Sequence, residues 1–470
     1  MPGFFKRSAR DAVRTNDRRV RNARAAQDEN RARPPMVVRL ANQWWDRLIG
    51  AVFSGSLANQ TARYAAHRTT RDYVFNSVGF GVWGFLFPLL TMVASQLVGT
   101  EGAGMFSMAF VYANLIQFVG MYGVRTYQVS DVDEMDSFGA YQIQRVLTCI
   151  LMVGVGYLYC SLRGYAGELL WICFGTFAFR TVDSLADVYE GRLQQQDKLW
   201  LGGASQVLRC VLAIITFSVA LLATRSVSFA CIGMAIAATL SLVLFTIPLT
   251  YFETERSRGW ELLEIREIFV ECFPTFLATF LFSLIETVPK FAMEGTLPYD
   301  YQLYFNTIYF SAQGITMAVG LVYKPQLVRL ANIWSNPSHR KRFDLIILAI
   351  TGVAALITAA MFAFNATVGV ALLSLLYGTD FEAYRTQLYL MTIAGGMTAV
   401  IDFLYQIITV LRRQETATRI YLIAFSVAGV LSITLVTTIR FDGAVYAYLL
   451  SMAALFVMLV VQYVMIRKNG

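Results

Sequence analysis

The stretch Phe282–Arg329, FSLIETVPKFAMEGTLPYDYQLYFNTIYFSAQGITMAVGLVYKPQLVR, contains two apolar segments of helical length with charges near their ends. Glu286 and Lys290 lie one helical turn apart at the end of the first segment, and Lys324 ends the second. Charged side chains cost free energy inside a bilayer and seldom occur there without a function. These residues are therefore the first candidates for a functional site within a membrane.

The composition indicates an integral membrane protein. Of the 470 residues, 56% are hydrophobic and 15% are charged, whereas soluble domains have about 25% charged residues. The net charge of +8 does not indicate nucleic-acid binding, because residues 1–72 contain 15 of the 39 Lys and Arg but only 6 of the 31 Asp and Glu. The rest of the chain is nearly balanced, so the basicity belongs to an N-terminal tail.

The cysteines and histidines predict neither a metal site nor a cofactor. The six cysteines are widely spaced in or beside apolar segments, which predicts buried thiols rather than disulfides or metal ligands. The two histidines, His67 and His339, lie in polar segments. No GxxxxGKS/T loop or HExxH motif is present.

From Tyr73 onward, successive apolar stretches are long enough to cross a hydrocarbon core of about 30 Å as helices. We predict spans at 73–98, 104–124, 142–162, 165–188, 200–223, 227–250, 267–290, 301–323, 344–364, 386–411, 418–438 and 443–465. Residues 366–377 are apolar but too short to cross, and we interpret them as an interfacial or re-entrant turn. The expected fold class is an all-α polytopic membrane protein with about 12 helices.

The polar segment 252–266 separates two predicted six-helix bundles, 73–251 and 267–470, which we expect to surround a central cavity. A shift of 199 residues aligns parts of them, placing Ser107 on Asn306, Asn114 on Gln313 and Arg125 on Lys324. Parallel halves of this kind are common in transporters, with the cargo path between them.

Two segments precede the first predicted span. Residues 1–35 are rich in Arg, Asn and Ala and predict a disordered, basic cytoplasmic tail. Within 36–72, apolar residues recur at helical spacing and predict an amphipathic helix in the membrane interface followed by a linker. A helix packed on the transmembrane body or on a partner is the alternative.

Basic residues are distributed unevenly between the two ends of the predicted helices. Eighteen lie at the ends that share a side with the tail, and the opposite ends have only Arg163, Arg225, Lys290, Arg385 and Arg440. Because basic loops stay in the cytoplasm, both termini are expected there. We call the tail side the predicted inner end and the opposite side the predicted outer end.

Charged residues inside the N-terminal spans leave alternatives open. Arg180, Asp183 and Asp187 share one helix face by their i, i+3, i+7 spacing, and they form either part of a charged lining or an internal ion pair. Arg209 lies about 13 Å into its helix. At that depth it should face a partner or a water-filled cavity.

The C-terminal spans contain a second set of charges. Asp402 is a candidate proton or sodium site, or the partner of a basic residue elsewhere in the bundle. Glu286 and Lys290 could neutralise each other by their i, i+4 spacing, or flank a gate at Pro289, which bends a helix.

The run Pro289–Glu294, then Tyr304–Phe305 and Lys324–Pro325 before Trp334, resembles the PKYAI…YF…RP…W pattern of Wzx-type polysaccharide repeat-unit flippases of Gram-positive bacteria. Gly123–Asp131 with Tyr141 and Arg145, and Asp187–Gln194, are similar to that family's inner loops. The resemblance covers about residues 70–466. The long basic tail departs from most members.

The resemblance implies the multidrug/oligosaccharidyl-lipid/polysaccharide (MOP) exporter fold in a bacterial plasma membrane, working by alternating access. Its cargo would be an undecaprenyl-pyrophosphate-linked oligosaccharide, with a polysaccharide polymerase and glycosyltransferases as further expected partners. A pyrophosphate needs cations and sugars need polar groups. The expected cargo-binding residues are Arg125, Arg180, Arg209, Lys290, Lys324, Asn76, Asn114 and Gln313, and the expected coupling or gating residues are Asp183, Asp187, Glu286 and Asp402.

Three other functions remain open from the sequence. A cation-coupled exporter of small molecules would use the same fold but would favour a carboxylate-rich cavity. A membrane polysaccharide polymerase or ligase would need longer outer loops and a catalytic motif. A scaffold anchored by its tail would not need so many charges within the membrane.

Overall fold

The computed structural model describes residues 60–131, 134–324, 340–411 and 414–469, together with Leu327, Leu330 and Ile333. Side chains are described from residue 75 onward, except at 340, 341, 410, 414, 415 and 469. The chain divides into units Met1–Arg71 and Asp72–Gly470, and the packing reported below concerns the second. The predicted tail 1–35 and residues 36–59 of the predicted interfacial segment lie outside the described residues.

The described residues are almost entirely helical. The helices are α1 (Gln60–Met121), α2 (Val124–Ser130), α3 (Phe138–Arg163), α4 (Gly167–Gln195), α5 (Leu199–Thr224), α6 (Val227–Ser241), α7 (Ile247–Glu253), α8 (Leu262–Met293), α9 (Asp300–Tyr323), α10 (Arg340–Phe364), α11 (Val370–Tyr377), α12 (Arg385–Val410) and α13 (Gln414–Asn469). A π-helical turn, Leu242–Thr246, joins α6 to α7, and a second, Asn365–Gly369, joins α10 to α11.

Nine helical stretches of the described residues are long and apolar enough to cross a membrane. Two of them are broken, α1 at Gly99 and α13 at Ile439–Arg440, so each contains two segments. With α9, which also matches a predicted span, the described part of the chain has helical segments at all 12 predicted positions. The protein is an all-helical, multi-pass membrane protein.

The interpretation of 366–377 as a separate interfacial or re-entrant turn is wrong. The helix that begins at Arg340 continues through the π-helical turn Asn365–Gly369 into α11. One stretch, Arg342–Tyr377, is therefore a single candidate span of 36 residues. The buried Asn365 side chain stabilises this turn by donating to Ser311 and Thr392 at 3.2 and 2.9 Å.

Local signals explain where several helices begin and end. Ser137 caps α3 by accepting from the Ala140 backbone N–H at 3.2 Å. The same helix ends at Gly164, whose φ of 68° is left-handed and is best tolerated by glycine. At the start of α8, Glu261 and Glu264 form a capping box.

Helices pack mainly within two halves, which we call the N-terminal half (72–253) and the C-terminal half (262–469). In the first, α4 packs on α3, α5 and α6; in the second, α8 packs on α13 and α9 packs on α12. Between the halves, α8 contacts α2 and α3. Segments of α1 also face α9, where Phe87 meets Phe310 with ring centroids 5.4 Å apart.

One hydrogen bond between the halves relates directly to the predicted repeat. The Asn306 side-chain amide donates to Ser107 Oγ at 2.9 Å, and both residues are fully buried. These two positions are equivalent under the shift of 199 residues. Equivalent residues contact each other only where they lie beside a two-fold axis, so this contact supports two related, parallel halves.

Candidate functional site

A buried charged network occupies the N-terminal half around Asp183. One oxygen of this carboxylate accepts from Arg209 Nη2 at 2.8 Å, and the other accepts from Arg180 at 3.0 Å. Trp83 and Gln117 donate to the same carboxylate at 2.8 and 3.0 Å. The Arg180–Asp183 ion pair is thus one of the two arrangements that the helix spacing predicts.

Arg209 has a second carboxylate partner. Its Nη1 lies 2.7 Å from Glu190, and only 1% of the arginine side chain is exposed. The sequence predicts that Arg209 faces either a partner or a water-filled cavity. The structure shows partners, because Asp183 and Glu190 balance the Arg209 charge. Sequence reasoning did not select Glu190 as a site residue, although its i, i+7 relation to Asp183 on α4 places both on one helix face.

Two further arginines meet Asp187 near the predicted inner end. Arg125 lies 2.7 Å from one Asp187 oxygen, and the buried Arg145 lies 2.9 Å from the other. Arg125 also donates to Gln194, and 30% of its side chain is exposed. Arg125 is therefore a partly accessible cation held in place by two polar groups.

In the C-terminal half, Tyr309 lies between Glu286 and Lys290. Its hydroxyl donates to Glu286 at 3.0 Å, and its ring faces the Lys290 ammonium, which lies 4.2 Å from the ring centroid. Tyr448 approaches the same Glu286 oxygen at 3.4 Å. Among the described residues, no carboxylate oxygen lies within 4 Å of Lys290 Nζ, so the anticipated direct Glu286–Lys290 pair is not formed.

Asp402 is held by a tyrosine rather than by a cation. Tyr323 donates to its carboxylate at 2.6 Å, and no basic side chain of the described residues forms an ion pair with it. Lys324 follows Tyr323 at the predicted inner end, is exposed, and lies 5.5 Å from the centroid of the Phe80 ring. Neither Asp402 nor Lys324 forms an ion pair with a described residue, so each could bind an ion or a charged ligand.

The three predicted sugar-contacting amides are partly buried and lie on three different segments. Asn76 is on the first part of α1, Asn114 on its second part, and Gln313 on α9. The Asn114 carbonyl oxygen is buried and accepts no hydrogen bond from the described residues. No hydrogen bond of the described residues joins these amides to one another.

Lys290 differs from every other buried basic side chain of the described residues. Arg145, Arg180, Arg192 and Arg209 each pair with a carboxylate within 3.0 Å. Lys290 is 5% exposed, and its ammonium lies beside the Tyr309 and Phe305 rings. The charge of Glu286, one helical turn away, acts on it without a direct ion pair. A buried cation without a direct ion pair is costly, and aromatic faces and a more distant carboxylate offset only part of that cost. This site is therefore suited to an anion that comes from outside the chain.

Sequence reasoning missed a cluster around Glu294, directly after α8. Its carboxylate accepts from Tyr112 at 2.7 Å, Tyr159 at 2.9 Å and Arg163 at 2.8 Å, and also from Tyr165. The partners lie 129 to 182 residues away along the chain. A single glutamate in a short turn carries no local signal of such a cluster.

The expectation that the six cysteines are buried is confirmed. Within the part of the chain that the structure describes, no group of three or more His, Cys, Asp or Glu side chains is placed to hold a metal ion.

Comparison with known proteins gives matches only at the level of structure. No family profile matches the chain, and no curated protein matches it in sequence. An inward-facing multidrug resistance MATE family transporter of the MOP superfamily superposes with a TM-score of 0.59 at 14% identity, over 82% of this chain and 96% of that one. A MOP superfamily transporter from Pyrococcus furiosus, described by the reverse polarity of its binding pocket, superposes with a TM-score of 0.55 at 14% identity, over 84% and 95%. The Vibrio cholerae MATE transporter VcmN gives 0.55 at 14% identity, over 85% and 99%. The chain therefore has the same fold as these transporters.

Proposed function

We propose that the protein is a transporter without enzymatic activity that moves undecaprenyl-pyrophosphate-linked oligosaccharides from the cytoplasmic to the outer leaflet. The observation that carries this proposal is the buried ammonium of Lys290, which has no direct ion pair with any carboxylate of the described residues. A cargo with a pyrophosphate supplies a direct anionic contact for this ammonium, and charge-assisted hydrogen bonds to phosphate are among the stronger polar contacts. The sequence resemblance to Wzx-type flippases and the superposition on MOP superfamily structures support the same class.

The proposed path starts at the predicted inner end. Lys324 is exposed and Arg125 is partly exposed, so both can meet a pyrophosphate that approaches from the cytoplasm. Alternating movement of the two halves then brings the headgroup to Lys290, while the lipid tail stays in the bilayer. Arg180 and Arg209, which are paired with carboxylates, hold the helices around this path rather than binding the cargo first.

Coupling is assigned to the carboxylates that do not form ion pairs in the C-terminal half. Glu286 and Asp402 are held by tyrosine hydroxyls, an arrangement that leaves their charge available to a proton or a metal cation. The membrane potential acting on the anionic cargo is the alternative drive. Asp183 and Asp187 are each paired with two arginines and stabilise the N-terminal half.

The test is to deplete the protein in its host and to measure lipid-linked oligosaccharides on each side of the membrane. The proposal expects complete repeat units to accumulate on the cytoplasmic leaflet while surface polysaccharide is lost. Complementation with Lys290→Ala should leave this defect in place at normal protein levels, because the cargo charge is no longer balanced. Arg385→Ala is the matched control, since Arg385 is an exposed cation that pairs with Glu382 of the adjoining turn.

Two outcomes would overturn the proposal. If depletion leaves the lipid-linked oligosaccharides and the surface polysaccharide unchanged, the protein does not transport a lipid-linked oligosaccharide. Repeat units that reach the outer leaflet but stay unpolymerised would indicate a polymerase or ligase instead.

A second candidate function is a cation-coupled exporter of small molecules. The two carboxylates Glu286 and Asp402, which have no ion-pair partner among the described residues, favour it. The Pyrococcus furiosus neighbour, whose description links reverse pocket polarity to a different function, suggests that this fold is not restricted to one cargo charge. Drug sensitivity that rises on depletion, with normal polysaccharide, would favour this candidate.

A further inference from the structure

The cluster around Glu294 joins the two halves at the predicted outer end of the molecule. Glu294 belongs to the turn between α8 and α9, whereas its partners Tyr112, Tyr159, Arg163 and Tyr165 belong to the N-terminal half. Among the described residues, Arg163–Glu294 is the one ion pair between the two halves. Every other ion pair of the described residues lies within one half, except Arg258–Glu264, which joins the connecting segment to the C-terminal half.

The geometry of the turn holds the Glu294 carboxylate toward its partners. Glu294 has extended backbone angles, and Gly295 follows with a φ of 78°, a left-handed value that favours glycine. The Leu297 N–H donates to the Met293 carbonyl at 2.9 Å and closes the turn. Only 6% of the Glu294 side chain is exposed.

Aromatic contacts lie next to the carboxylate cluster. Phe291 stacks on Tyr112 with ring centroids 4.7 Å apart and meets Tyr159 edge-on at 5.9 Å. These rings belong to opposite halves, so separating the halves at this point exposes apolar rings as well as breaking hydrogen bonds.

A second set of hydrogen bonds joins the two halves at the same predicted outer end. Ser95 donates to the Tyr377 carbonyl at 2.7 Å, and Gln96 donates to the Leu375 and Leu376 carbonyls at 3.1 and 3.0 Å. Nearer the predicted inner end, α8 contacts the N-terminal half through a hydrogen bond from Ser137 to Glu264 at 2.6 Å and through aromatic packing of Tyr122 on Phe276. Among the described residues, the polar connections between the halves are more numerous at the predicted outer end than at the predicted inner end.

We infer that Glu294 with Tyr112, Tyr159, Arg163 and Tyr165 forms a latch that holds the predicted outer ends of the two halves together. The buried carboxylate has four donors, and partial separation would leave it without enough partners in a site with little water. Full separation lets water replace the donors. The latch therefore favours two states, closed and open, over intermediate ones. The inference rests on the proposed function only for the role of that opening in cargo release.

The test is a distance measurement between spin labels at Ala166→Cys and Thr296→Cys, two exposed positions on opposite sides of the latch. The native cysteines are buried, and labelling of the parent chain measures their background. In the parent sequence we expect mainly the short distance. Glu294→Ala should shift the ratio of closed to open molecules about tenfold toward open, because four hydrogen bonds to a charged group are lost.

Glu382→Ala is the matched control. It removes a carboxylate near the same end whose ion pair lies within its own half, with Arg385, so it should leave the distances unchanged. Glu294→Gln keeps the side-chain shape and provides a variant that folds if Glu294→Ala does not; it should give a smaller shift in the same direction.

Unchanged distances in both Glu294 variants would overturn the latch, as would an equal shift in Glu382→Ala. The measurement needs no cargo, so its result does not depend on whether the chain moves oligosaccharides. The Glu294 variants could shift the distances as expected while depletion leaves lipid-linked oligosaccharides unchanged. That combination would support the latch and contradict the proposed cargo.

Discussion

The Asp183 carboxylate accepts hydrogen bonds from four side chains, whereas Lys290 forms no ion pair among the described residues. We use this difference to distinguish charged residues that stabilise the fold from those that bind the cargo. Removing Arg209 would leave Asp183 without its 2.8 Å partner and would leave Glu190 buried with no ion pair. Lys290 has no carboxylate that depends on it in this way. Two cations that look alike in the sequence should therefore respond differently to substitution.

We expect Arg209→Ala to lower the free energy of unfolding by about 3–5 kcal/mol, the usual cost of breaking a buried ion pair from one side. Lys290→Ala should leave stability nearly unchanged while abolishing transport. Thermal denaturation in detergent, followed by tryptophan fluorescence, measures the difference. Equal loss of stability in the two variants would contradict this division of roles.

At the residue scale, the sequence predicts charges that share a helix better than charges that meet across helices. Arg180 and Asp183 form the ion pair that their i, i+3 spacing predicts. The i, i+4 pair Glu286–Lys290 does not form, because Tyr309 of the next helix contacts both side chains. Such partners depend on helix packing, which a single sequence does not specify.

The helices of each half approach closely where glycine lies at their contact. At Gly395 of α12, an added Cβ would lie 2.6 Å from the Ala312 Cβ of α9, which is too close for two carbon atoms. Gly154 of α3 has nothing within 4 Å of the same position. Small residues at membrane helix contacts allow backbones to approach.

Gly395→Ala should therefore destabilise the protein by about 1–3 kcal/mol, because overpacking forces the two helices apart. Gly154→Ala should be neutral or slightly stabilising, since alanine favours helix over glycine by up to about 1 kcal/mol. The midpoint of thermal unfolding in detergent compares the two variants. A fall at Gly154 equal to that at Gly395 would show that space at the contact is not the cause.

At the element scale, hydrophobicity and length locate the helices well, but they do not show where one helical segment continues into the next. The 12 predicted spans all correspond to described helical segments, because crossing a bilayer requires a long apolar run. The continuation of α10 into α11 was missed because the apolar run 366–377, taken by itself, is too short to cross a bilayer. In the structure, hydrogen bonds from Asn365 to two neighbouring helices keep the chain helical.

At the scale of the whole molecule, the contact between Ser107 and Asn306 places equivalent positions of the two halves together. Alternating access requires the halves to rotate against each other, and residues beside the axis at the predicted outer end must separate when that end opens. A covalent bond between these two positions should therefore block the rotation of the halves without changing the cargo site.

We expect the double variant Ser107→Cys with Asn306→Cys to form a disulfide on mild oxidation, since the parent side-chain atoms lie 2.9 Å apart. Locking the halves at this point should stop transport, and reduction should restore it. Ser205→Cys with Thr246→Cys is the control, because these side chains lie 2.7 Å apart within the N-terminal half. Free thiols are counted by mass spectrometry, and transport is measured by the distribution of lipid-linked oligosaccharide between the leaflets.

The comparison distinguishes a rocking movement from a cargo path that opens without it. Loss of transport in the first pair, with normal transport in the equally oxidised second pair, requires the halves to separate at Ser107 and Asn306. Full transport with the first disulfide formed would mean that the predicted outer end opens elsewhere, and the two-fold arrangement would then describe the fold without describing its motion.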